Sequence, residues 1–85
     1  MPRYLVERTL SGPPDLSVEA VVDRNADDGV TWVHSYVCED AGTMLCLYEA
    51  PSPEAIRRAA RANRLPVDRI TQVRVLDPYF YQGGK

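Results

Sequence analysis

Little in this chain titrates near neutrality or suits a soft metal. Its 85 residues hold one histidine, one tryptophan, one phenylalanine and two cysteines. There is no glycine-rich phosphate loop, no serine elbow, no HExxH and no CxxC, so no familiar catalytic signature is present. Charge is nearly balanced, at a formal −2, which leaves no electrostatic footprint for nucleic acid or an anionic membrane. No stretch approaches the roughly 20 apolar residues of a membrane span, and no signal-peptide pattern opens the chain. The two cysteines lack metal-finger spacing and fit free thiols in a reducing compartment, so cytoplasmic residence is expected.

What is present is concentrated in residues 32–53, which hold the only histidine, the only tryptophan and both cysteines. Residues 30–38 read as a strand with Trp32, His34 and Tyr36 on one face. A polar turn over 39–42 leads to a second strand over 43–49, which completes a hairpin. In that strand Met44, Leu45, Cys46, Leu47 and Tyr48 run without a break, so neither of its faces looks wet. Ser52-Pro53-Glu54 is a strong helix start, followed by Ile56, Ala59, Ala60 and Asn63 at helical spacing, with Arg57, Arg58, Arg61 and Arg64 on the other side.

The flanks complete the pattern. Residues 4–10 read as a strand that Ser11-Gly12-Pro13-Pro14 ends. A helix follows, capped by Asp15 or Ser17 and running to about residue 26, with Leu16, Val18, Val21 and Val22 as its apolar side and Gly29 as a left-handed stop. Residues 70–76 read as the last strand. The order strand, helix, strand, strand, helix, strand is ferredoxin-like, an α+β fold with a four-stranded antiparallel sheet and both helices on one face. The expectation is one domain over 1–85, with a core to residue 78 and an aromatic tail, Tyr79-Phe80-Tyr81, that is too apolar to hang free. A central strand greasy on both sides needs a second cover. That predicts a face-to-face homodimer, a dimeric α+β barrel or sandwich.

Three groups could carry chemistry. His34 can ligate a metal, serve as a base, or sit hydrogen-bonded between aromatics. Glu49 ends an apolar strand and, if inward, needs a cation, since a lone buried carboxylate is costly. Glu7 lies on the neighbouring strand. Converging, the three would make an N/O site suited to nickel, zinc, manganese or iron; otherwise Glu7 pairs with Arg8 or Arg74, and Glu49 with the Ser52 cap region or an arginine. Trp32 and Tyr36 would line a ligand cavity. Cys46, between two leucines, reads first as a buried small hydrophobe.

His34-Ser35-Tyr36, then Cys46-Leu47-Tyr48-Glu49-Ala50-Pro51-Ser52, then Ala55-Ile56-Arg57 and Pro66-Val67-Asp68-Arg69-Ile70 resemble a family of small ferredoxin-like proteins. That family is mostly of unknown function and includes a nickel-binding dimer. The resemblance implies a dimer and a nickel site, with His34, Cys46 and Glu49 at matching positions. The nickel-binding member is richer in histidine near its N-terminus, where this chain reads Val6-Glu7-Arg8-Thr9. Weaker nickel binding, or none, is therefore expected. The reading is a homodimer that binds a divalent metal or small ligand on the sheet face. Its rivals are a cofactor-light small-molecule enzyme of the dimeric-barrel type and a structural module.

Overall fold

Strand β1 (Arg3–Thr9) alternates Tyr4, Val6 and Arg8, all buried, with Arg3, Leu5, Glu7 and Thr9, which are half-buried or exposed. Period-two alternation of this kind sets one face of a sheet against a core. The structure is a computed structural model and describes residues 1–10, 17–38 and 42–79. The Ser11 to Pro14 break, the Asp15 cap, Leu16, most of the 39–42 turn and the tail from Phe80 lie outside the described residues.

The remaining elements are α1 (Val18–Asp27), β2 (Thr31–Val37), β3 (Thr43–Glu49), α2 (Pro53–Ala62) and β4 (Arg69–Val73). They form one antiparallel sheet in the order β2-β3-β1-β4, which is the ferredoxin-like arrangement. The strands read as central, β1 and β3, are central. Gly42 closes the approach of β3 to β1: its φ is +65°, and a Cβ there would lie 3.0 Å from the Leu10 carbonyl oxygen.

Side chains at helical spacing put α2 over the sheet. Ala55, Ile56 and Ala59 are buried in one cluster with Tyr4, Val6, Met44, Cys46 and Tyr48, and Ala60 is buried beside them on the helix. The alanines allow close approach, and burying Ile56 contributes on the order of 1.5–3 kcal/mol. Ser52 caps α2 by accepting the Ala55 N–H, with Pro53 in the first turn. Ser17 caps α1 by accepting the Ala20 N–H.

Three expectations need correcting. Val18 and Val22 do not join an apolar side of α1; they are exposed, and the helix buries Val21 and Asn25 instead. The last strand ends at Val73 rather than 76. Val73 pairs with Arg3, where β1 begins, so later residues have no strand to pair with. The third correction concerns β2. Trp32 pairs with Tyr48, but His34 pairs with Leu47, so Val33 is an extra residue in the strand. This bulge resets the alternation. Trp32 packs toward the helix-side core with Tyr48, and its Nε1 donates to Ser35 Oγ at 2.8 Å. His34 and Tyr36 take the opposite face.

Candidate functional site

The sheet face away from the helices collects most of the chemistry-bearing residues. Register sets them in rows. Val73, Arg3, Glu49 and Thr31 form one; Thr71, Leu5, Leu47 and His34 the next; Arg69, Glu7, Leu45 and Tyr36 the third. The centre is apolar, built from Leu5, Leu45 and Leu47. At its β2 edge His34 and Tyr36 are exposed and meet edge to face, with ring centroids 5.2 Å apart.

Both carboxylates of this face are held by arginines. Arg3 Nε donates to Glu49 Oε2 at 2.9 Å. Glu7 Oε2 lies 3.8 Å from Arg69 Nε. The expected partners of Glu7, Arg8 and Arg74, do not serve. Arg8 follows Glu7 on the same strand and so points to the other side, while Arg74 lies beyond the end of β4.

Of the residues read as metal ligands, His34 and Glu49 are diagonal neighbours on one face, about 7–8 Å apart at the backbone. Glu7 shares that face but stands two strands from His34, roughly 10 Å across the sheet. Cys46 is on the other face, fully buried among the core side chains. Its odd spacing from Glu49 along one strand requires this, and that signal was available in the sequence. Cys38 and Cys46 are both free thiols. Among the described residues, no group of three or more His, Cys, Asp or Glu could hold a metal ion. The described donors of one chain therefore do not by themselves make a three-ligand metal site.

The polar group that sequence reasoning missed is on the helix side. Arg8 is 1% exposed. Its Nε donates to the Pro66 carbonyl at 2.9 Å, and its Nη1 donates to Cys46 Sγ at 3.1 Å and Tyr48 Oη at 3.0 Å. Burial pushes the Tyr48 hydroxyl pKa up from its usual 10.0, against the lowering pull of the Arg8 charge; the neighbouring Cys46 adds to the rise. The signal was parity: Arg8 is two residues from Val6 and four from Tyr4, hence on their face.

Fold and face together define a small ferredoxin-like α+β protein with one sheet face under helices and the other open. This chain belongs to the SCO4226-like family. The family model, described as nickel responsive protein SCO4226-like, matches residues 4–73. The structure is also similar to a crystal structure of SCO4226 from Streptomyces coelicolor A3(2). The two share 20% sequence identity and a TM-score of 0.71, over 88% of this chain and 99% of that one. At that identity the likeness is one of fold. No curated protein matches.

Proposed function

We propose that this protein is a homodimer joined through its open sheet faces, and that the joined faces hold a divalent metal ion, nickel first, or a small ligand. The observation that carries the reading is the character of that face. An apolar centre of Leu5, Leu45 and Leu47 is flanked by two arginine–carboxylate pairs and edged by an exposed imidazole and phenol. A surface of this kind is what a second copy would cover. One chain offers a single imidazole; two offer a pair of His34 side chains, with Glu49 as the nearest carboxylate and Glu7 farther away. Glu49 would have to exchange Arg3 for the ion, which weakens binding. Tyr36 remains a candidate lining residue; Trp32, turned into the core, and Cys46, on the far face, are left out. Nickel is favoured over other hard or borderline ions by the description of the family. Free thiols support cytoplasmic residence.

Sedimentation equilibrium and nickel calorimetry test both parts. The native chain should sediment as a dimer and Leu45→Arg as a monomer. Nickel affinity should fall about 10-fold or more in His34→Ala. A native chain that stays monomeric at high concentration overturns the dimer. A nickel isotherm unchanged by His34→Ala, or no nickel heat at all in the native dimer, overturns the metal site.

A further inference from the structure

A buried guanidinium normally has a carboxylate beside it, because an unmatched charge in a low-dielectric interior is expensive. Arg8 has none: among the described residues no Asp or Glu lies within ion-pair distance of it. The tyrosine it touches keeps its proton at neutral pH. The Pro66 carbonyl is a neutral acceptor, and the remaining contact is to the Cys46 sulfur. None of the Arg8 hydrogen bonds uses Nη2.

Arg8 also borders a cavity of about 10 Å³ between the sheet and the C-terminal ends of both helices, walled by Tyr48, Ile56, Ala59 and Asn63 and reached by Asn25. Room of that order admits one water-sized particle. Asn25 is 2% exposed, and its Nδ2 is buried without a partner. A chain of hydrogen bonds sets how that amide is turned. Arg24 Nη1 donates to Asn63 Oδ1 at 3.2 Å, and Asn63 Nδ2 donates to Asn25 Oδ1 at 3.0 Å. Asn25 Oδ1 accepts from Asn63, and Nδ2 is the end of the amide left without a partner. The cavity thus has a guanidinium without a carboxylate and an unused amide donor on its wall. We propose that this cavity is a binding site for a single halide ion, chloride under ordinary conditions, held by Arg8 and Asn25.

The donor set favours an anion over water. A water can accept from Asn25 and Arg8, but it brings no charge to set against the guanidinium. A halide accepts every N–H and sets a negative charge beside the guanidinium. The site lies on the opposite side of the sheet from His34, so it stands or falls independently of the proposed metal.

Thermal unfolding in sodium chloride and in sodium gluconate at equal ionic strength tests this, since gluconate is too large to enter. At chloride about five times its dissociation constant, the midpoint should rise by about 4–8 °C. Asn25→Leu, which removes the donor and no surface charge, should abolish that rise. Crystals grown in bromide should show an anomalous peak within bonding distance of Arg8 and Asn25 Nδ2. Equal midpoints in the two salts, a rise unchanged in Asn25→Leu, or a bromide crystal with only water in the cavity would each overturn the proposal. If Asn25→Leu fails to fold, the bromide crystal of the native chain decides.

Discussion

Tyr48 and Arg8 show how a single strand position sets the chemistry of a side chain. Both stand on the helix side of the sheet, and each is nearly sealed from water. Burial raises the Tyr48 pKa in the folded chain above its usual 10.0. The unfolded chain then releases this proton first as pH rises, so above pH 10 the folded state holds more protons than the unfolded one. Stability contributed by this group is intact below pH 10 and is lost progressively above it, at up to about 1.4 kcal/mol per pH unit until the folded-state pKa is reached. Urea denaturation of the native chain and of Tyr48→Phe from pH 8 to 11 checks this. The variant should be weaker at pH 8, because it loses the hydroxyl that accepts from Arg8, and its stability should fall less steeply above pH 10. A slope equal to that of the native chain would show that Tyr48 is not the group responsible. At this scale parity was the legible signal for the shared face of Arg8 and Cys46, and reading Cys46 as a ligand beside Glu49 and Arg8 as a partner of Glu7 ran against it. It could not tell that Arg69, rather than Arg8 or Arg74, would stand beside Glu7, because that depends on which residue of β4 lies opposite.

Both helices end in the same motif, built from different residues. At the end of α1, Gly29 N–H bonds the Ala26 carbonyl and Val30 N–H the Asn25 carbonyl, with Gly29 at φ +71°. At the end of α2, Arg64 N–H bonds the Arg61 carbonyl and Leu65 N–H the Ala60 carbonyl, with Arg64 at φ +57°. This is the Schellman arrangement, in which glycine avoids the Cβ clash of the left-handed region. Arg64→Gly should therefore raise stability by about 0.5–1 kcal/mol, and Gly29→Ala should lower it by about 1–2 kcal/mol, as read by urea midpoints. For Gly29 the cost is conformational, since an added Cβ would meet only the Pro51 ring at an ordinary 3.9 Å. The bulge in β2 yields a second prediction for an element. Removing Val33 leaves Trp32 and His34 on the faces they already occupy, whereas removing Ser35 reverses every side chain on one side of the deletion. The Val33 deletion should fold with native, blue-shifted Trp32 fluorescence and a small loss of stability. The Ser35 deletion should lose far more or fail to fold. Helix starts and the Gly29 stop were readable because caps act through residues adjacent in sequence. The bulge was not, because an extra residue shows only against the strand it fails to match.

For the molecule as a whole, the consequence is an open sheet face. No helix among the described residues is long and apolar enough to cross a membrane. If a second copy covers it, stability depends on protein concentration by mass action. The thermal midpoint of the native chain should rise on going from 1 to 100 μM, and that of Leu45→Arg should be independent of concentration; a native midpoint that does not move counts against the dimer. The sequence by itself determined the element order, the helix caps and the central place of β1 and β3, because these rest on local preferences and on the burial that an unbroken apolar strand demands. Only the tertiary structure decided which side chains share a face across strands. It turned Trp32 into the core and brought Asn25 and Arg8 to one cavity. The physical reason is that inter-strand register and helix-on-sheet packing are long-range properties, and one inserted residue in β2 is enough to change them without altering any local preference.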